Sequence, residues 1–112
     1  MDKTNWFQEL KEIDKIDKII GITICPRSKT GKEFDFEPDY QKKYTKFFQT
    51  LDEAKSLLDY EFDSGFGGTN GPYFTAWTNT TVIFPAQYDG SEWIDSVPRN
   101  PGLIATEHIG GG

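Results

Sequence analysis

The chain is predicted to fold as an α+β domain: an antiparallel sheet of about five to six strands, including a C-terminal three-stranded meander, with two helices. Three observations carry this expectation. Between Tyr73 and Val97, three runs rich in β-branched and aromatic residues are separated by Asn79-Thr80 and Asp89-Gly90, the two-residue spacing of tight antiparallel hairpins. Near the start, Trp6, Leu10, Ile13, Ile16 and Ile20 recur at three- and four-residue intervals, one apolar stripe of a helix. In the middle, Thr50-Leu51-Asp52-Glu53 has the spacing of a capping box, in which the hydroxyl and the carboxylate satisfy free amides at a helix start.

Taken in order, residues 5–19 form the first predicted helix. Thr4 or Asn5 caps it, Asn5 having capping-box spacing to Gln8, and its outer face mixes both charge signs, which suits a core-facing rather than a membrane-bound helix. Ile20, Ile22 and Ile24 then alternate with Gly21, Thr23 and Cys25 as a strand. The turn-rich residues 26–31 lead to a return strand over Lys32–Glu37, which Pro38 ends. Tyr44–Gln49 reads as a further strand, with a helix over Asp39–Phe48 as the competing assignment. Leu51–Tyr60 is the second helix, with Leu51, Ala54, Leu57 and Leu58 as its apolar stripe. Asp63–Pro72 is a loop in which four of ten residues are glycine.

The two turns set the register of the meander. Tyr88 opposes Ser91, Ala86 opposes Trp93, Phe84 opposes Asp95 and Val82 opposes Val97; across the first turn, Trp77 opposes Val82 and Thr75 opposes Phe84. One face then carries Tyr73, Trp77, Val82, Phe84, Ala86, Tyr88, Trp93 and Val97. The other carries Phe74, Ala76, Ile83, Pro85 and Ile94. Both are apolar, so the expectation is that the two helices cover both faces, with a homodimer or ligand contact as the alternative. Pro85 cannot donate to a ladder and should leave its nitrogen side unpaired or sit at a bulge. Asp95, if buried beside Phe84, needs a donor from Arg99 or a backbone amide.

With 112 residues and 15% aromatics, one compact domain is expected over residues 1–109, followed by a flexible glycine tail at 110–112. The net charge is −6. Residues 1–56 hold 11 basic and 11 acidic side chains, whereas residues 57–112 hold only Arg99 against seven carboxylates. Such a field repels phosphate backbones, so direct nucleic-acid binding is not expected. No apolar run is long enough for a membrane helix, the start lacks a secretory pattern, and the single cysteine permits no internal disulfide; a cytoplasmic, reducing setting follows as the expectation.

Candidate chemistry is sparse. Gly65-Phe66-Gly67-Gly68-Thr69-Asn70-Gly71 offers backbone amides to an anion but has no basic residue and neither phosphate-loop nor Rossmann spacing. Asp59, Glu61 and Asp63 alternate like the first ligands of a calcium loop, yet Ser64 and Asn70 stand where that loop needs Gly and a bidentate Glu. Cys25 and His108 are the lone thiol and lone imidazole; Cys25 lies on an apolar strand, where thiols are ordinarily inert. No catalytic residue, metal site or cofactor is therefore assigned. The binding surface is assigned to Gly67, Gly68, Thr69, Asn70, Tyr73, Trp77, Tyr88, Trp93, Arg99 and Asn100, because Tyr, Trp and Arg supply large rigid contact area with polar handles.

The ending Gly110-Gly111-Gly112 is similar to the Gly-Gly terminus of ubiquitin-like modifiers and sulfur carriers, and the resemblance implies a carrier function for that tail. The helix at the start departs from their β-grasp arrangement. The expected function is a small acidic, non-catalytic binding protein that takes a protein partner or a small polar ligand through its aromatic meander and glycine loop. An acidic inhibitor that imitates nucleic acid toward a basic protein, or a ubiquitin-like carrier, are the alternatives.

Overall fold

The computed structural model describes residues 3–26, 39–63, 71–88 and 91–100, together with 102 and 105. The expected return strand over Lys32–Glu37, most of the glycine loop, the Asp89-Gly90 turn, His108 and the glycine tail lie outside the described residues. The order is β1 (Lys3–Thr4), α1 (Trp6–Ile16), β2 (Gly21–Cys25), α2 (Tyr40–Tyr44), β3 (Lys46–Phe48), a 3-10 turn (Asp52–Ala54) running into α3 (Lys55–Leu58), β4 (Phe62–Asp63), β5 (Tyr73–Trp77), β6 (Thr81–Tyr88) and β7 (Ser91–Pro98). The architecture is α+β, with a five-stranded antiparallel sheet in the order β3-β2-β5-β6-β7 and a separate pair, β1 with β4. No helix of the described residues is long and apolar enough to cross a membrane.

The Asn5 side chain accepts a hydrogen bond from the Gln8 amide at 3.2 Å, which starts α1 where the sequence indicates. The helix ends three residues earlier than expected. The Asp14 carboxylate takes the Ile19 amide at 2.8 Å, and the Trp77 carbonyl takes the Ile20 amide at 2.8 Å. The chain is thereby pulled into extended form toward the sheet. Ile19 turns into the core, while Ile16 is left 91% exposed and Ile20 39% exposed. The expected stripe is thus correct for Trp6 and Leu10, partial for Ile13, and wrong at its end.

At the second helix, Thr50 accepts from the Glu53 amide at 3.3 Å, as a capping box requires. The reciprocal contact differs: the Glu53 carboxylate receives the Thr50 hydroxyl at 3.0 Å. That helix is one 3-10 turn plus four residues, stopping at Leu58 rather than Tyr60. Residues 39–48 hold both competing elements, the short α2 and then β3. Asp39 precedes α2 at φ 58°. The β1–β4 pair, which the sequence did not indicate, ties the start of the chain to Asp63 through a Lys3–Asp63 ion pair of 2.7 Å.

The main core lies on one side of the sheet. Ile22, Ile24, Phe74, Ala76 and Ile83 face Trp6, Phe7 and Leu10 of α1, with Leu51, Ala54, Leu58 and Phe62 beside them. The Trp6 ring meets Phe62 and Phe74 edge-on at centroid distances of 4.9 and 5.9 Å. The expectation that the helices divide between the two faces is therefore overturned. The two expected helices, seen as α1 and the 3-10 turn with α3, both cover the face that has fewer aromatic residues, and among the described residues only the short α2 reaches the other. The physical reason is shape: Ile, Ala and Phe in register make a shallow surface that takes a helix closely, whereas two indoles on the other face stand in the way.

The expected pairing of β6 with β7 holds at each position, from Thr81 opposite Pro98 to Tyr88 opposite Ser91. Between β5 and β6, only Ala76 with Ile83 and Trp77 with Val82 are paired, so the expected Thr75–Phe84 pair is not formed. Pro85 explains why. The Thr78 amide donates to the Thr81 carbonyl at 3.0 Å, and the Arg99 amide to the Thr80 carbonyl at 2.8 Å. Antiparallel alternation then turns Ile83 and Pro85 of β6 toward β5, and Val82, Phe84 and Ala86 toward β7. The next bonded pair after Ala76–Ile83 would need an amide hydrogen from Pro85, which has none. The ladder stops there.

Candidate functional site

Register builds a surface on the side of the sheet away from α1. Gly21 pairs with Trp77, Trp77 with Val82, and Val82 with Val97, while Thr23 pairs with Phe47. Gly21, Trp77, Val82 and Val97 form a row across four strands, and Thr23 and Phe47 lie two residues further along β2 on the same face. Trp77 lies flat on the sheet: a Cβ on Gly21 would stand 2.3 Å from its Cζ2. Phe47 stacks on it, with centroids 5.9 Å apart and planes at 18°. Only glycine at position 21 lets the indole come down on the β2 backbone. Trp93 is anchored through its indole Nε1, which donates to Asp95 Oδ2 at 3.3 Å; the other carboxylate oxygen takes the Ser96 amide at 2.8 Å. The expected need of Asp95 for a donor is met by an amide and an indole, not by Arg99.

Trp77, Val82, Phe84, Ala86, Trp93 and Val97 are half-buried, and Phe47 and Tyr88 are 54% and 45% exposed. Among the described residues, the only helix against this face is the five-residue α2. It touches one end, where Tyr40 packs edge-on against Tyr73 at 6.4 Å and donates its hydroxyl to the Pro26 carbonyl at 2.6 Å. Cys25 is buried at that same end. The face spans roughly 19 Å across the strands and roughly 14 Å along them, from strand spacing and rise. Its plan area of roughly 270 Å² approaches the largest apolar patch of a typical monomer, a size that often marks a contact site.

Of the assigned site residues, the structure brings Tyr73, Trp77, Tyr88 and Trp93 onto this one face. Arg99 is elsewhere: its guanidinium donates to the Thr78 carbonyl at 3.0 Å, at the root of the β5–β6 hairpin. Asn100 is exposed beyond the end of β7. Gly67, Gly68, Thr69 and Asn70 lie outside the described residues. Phe47, which extends the face to the far edge strand, was not assigned; its signal was its alternation with Phe48 on a short strand.

A second feature sits where β5 and β6 part at Pro85. A cleft of about 130 Å³ is lined by Gly71, Pro72, Tyr73, Pro85, Ala86, Gln87 and Glu92. The Gly71 amide donates to Glu92 Oε1 across it at 3.2 Å. Gly71 is required on its inner side, since a Cβ would come within 2.6 Å of Phe62 Cζ and of Trp6 Nε1. That Trp6 nitrogen is buried without a hydrogen-bond partner among the described residues. The cleft is well below the roughly 300 Å³ at which small-molecule pockets begin.

A hydroxyl cluster outside the expected site residues lies at the hairpin turn. The buried Thr78 donates to Asp17 Oδ2 at 2.7 Å, and Thr80 donates to the same oxygen at 2.9 Å. The Thr78 hydroxyl in turn accepts the Thr80 and Thr81 amides at 3.1 and 3.0 Å. These hydroxyls, Thr78 foremost and then Thr80, hold the Asp17 carboxyl below its ordinary value. The cluster locks the end of α1 to the hairpin, and the run of threonines from Thr75 to Thr81 was its visible trace. Asp59, Glu61 and Asp63 do not converge: Asp59 takes the Asn5 amide group at 2.8 Å and Asp63 pairs with Lys3. Among the described residues, no three metal-ligating side chains come together. Protein-family models, curated proteins and solved structures were compared with this chain, and none matches.

Proposed function

We propose that this protein is a non-catalytic binding module whose partner is another protein, docking on the aromatic face of the five-stranded sheet. One observation carries the reading: two anchored indoles, Trp77 lying over Gly21 and Trp93 bonded to Asp95, share a half-exposed face with Phe47, Val82 and Val97. Rigid aromatic side chains lose little entropy on contact and give large area, which is why they dominate interface energies. A protein partner is favoured over a small ligand because the face is flat and the neighbouring cleft is too small. The patch of roughly 270 Å² is about a third of one side of a stable interface, so the contact is a transient one unless the rim takes part.

Phe47→Ala and Trp93→Ala test the proposal. Affinity-tagged wild-type protein should retain a partner, identified by mass spectrometry, that both variants lose while keeping a native circular dichroism spectrum. Retention of every wild-type partner by both variants would move the site off this face.

A further inference from the structure

We infer that the outer edge of β7 accepts an extended strand from a partner, with apolar residues alternating with basic ones. β7 is the last strand of the sheet, and among the described residues nothing pairs with its outer side. The alternation fixed by the Arg99–Thr80 bond turns the amides and carbonyls of Trp93, Asp95 and Val97 toward β6. The amide and carbonyl of Ile94 and the carbonyl of Ser96 point outward toward a partner, while the Ser96 amide is taken by Asp95 Oδ1 at 2.8 Å. Eight residues long, the strand offers a template for β-addition, in which main-chain bonds give affinity and alternate side chains give specificity.

The two sides of that edge ask for different side chains. On the α1 side a groove of about 320 Å³ runs between helix and hairpin, with Ile13, Ile16, Ile83 and Ile94 as its apolar walls. Ile16 stands 91% exposed beside it, a large apolar side chain with no cover. A residue opposite Ile94 would point into this groove and gain by being apolar. A residue opposite Asp95 would point to the other side, where the Asp95 carboxylate is pinned next to the Trp93 indole. A carboxylate beside an aromatic ring suits a lysine or arginine, through ion pairing and cation–π attraction together.

Charge selects the occupant. β6 and β7 contain Glu92 and Asp95 and no basic residue, and Asp17 borders the groove. Two copies joined edge to edge would gather both pairs of carboxylates along one seam without a cation, so a second copy is disfavoured. A basic strand meets no such penalty. This inference stands apart from the aromatic-face reading, since the face can be inert while the edge binds; Phe47→Ala, remote on β3, separates the two.

The probe is a labelled peptide of about seven residues alternating valine and lysine, followed by fluorescence anisotropy. Its controls are a scrambled peptide of the same composition and an alternating valine–glutamate peptide. Ile94→Pro removes an outward amide without touching the β6 ladder and should weaken binding at least about tenfold, the scale of one lost hydrogen bond with its geometry. Ile16→Ser, at an exposed position that folding does not need, should weaken it about fivefold. Asp95→Asn should weaken it and flatten its salt dependence, while Phe47→Ala should leave it unchanged. Equal affinity for the scrambled peptide, or unaltered binding by both Ile94→Pro and Ile16→Ser, would overturn the inference. So would a dimer in sedimentation that Ile94→Pro dissolves, since a second copy would then own the edge.

Discussion

Gly21→Ala is the sharpest test of how the aromatic face is built. The new Cβ would stand 2.3 Å from Trp77 Cζ2, 2.4 Å from Cε2 and 2.8 Å from Nε1. Carbon atoms settle about 3.5–4.0 Å apart, so the indole must rise by somewhat more than about 1 Å. Rising breaks its contact with the β2 backbone and tilts it against Phe47. Forcing a methyl into a packed contact costs about 1–3 kcal/mol. Alanine in a strand is otherwise better than glycine by roughly 0.5–1 kcal/mol. The expected net is a loss of about 1–2 kcal/mol, or a fall in Tm of about 4–8 °C for a domain of this size. Urea unfolding followed by circular dichroism measures it, because the fluorescence of Trp77 will itself change. The decisive comparison is a double-mutant cycle with Trp77→Ala. Without the indole, Gly21→Ala should be neutral or stabilising by up to about 1 kcal/mol, giving a coupling of about 1–3 kcal/mol. An equal loss in both backgrounds would mean that Trp77 does not rest on Gly21.

Two further outcomes follow from the site's surroundings. The Asp17 carboxyl is held below its ordinary value by threonine hydroxyls, so the folded chain keeps that charge to lower pH than the unfolded chain does. The stability this contributes is full above the ordinary aspartate range and is lost as pH falls through the lowered value. Asp17→Asn should therefore be less stable at neutral pH and show a flatter decline below about pH 4, measured by urea titration across pH; parallel curves for the two proteins would contradict it. Asp39 occupies the left-handed region at φ 58° and ψ 29°. Asp39→Gly should be stabilising by about 0.5 kcal/mol and Asp39→Val destabilising by about 1–2 kcal/mol, and calorimetric Tm values that rank valine above glycine would refute the assignment.

The strands were legible because period-two alternation and two-residue turns constrain register directly. The aromatic face followed from the same rule, down to the opposition of Ala86 with Trp93. What alternation does not encode is which face the helices choose, since both are apolar; that depended on the shape of Ile22, Ile24 and Ala76 against two indoles. The end of α1 was misread because its stripe continues to Ile20 in sequence, while Asp14 and Asp17 bind backbone and hydroxyl groups that only the folded chain brings near. Arg99 was assigned to the binding surface for its residue type, but the partner it found is a carbonyl more than 20 residues away in sequence. The pair β1–β4 is two residues on each side, too short for any periodic signal.

Pro85 has a consequence beyond the ladder it interrupts. On its root side, the hairpin is braced by β5, by the threonine cluster and by α1. On its far side, β6 and β7 continue as a two-stranded ribbon, tied back among the described contacts by the Gly71–Glu92 bond. Such ribbons are marginal in water by themselves. Two units with separate opening free energies are therefore expected, and amides near Trp93 should exchange with solvent well before those near Thr78 and Ile83. Trp77 belongs to the slow unit and Trp93 to the fast one. A partner that spans both indoles would bind and, in the same step, join the two into a single cooperative body.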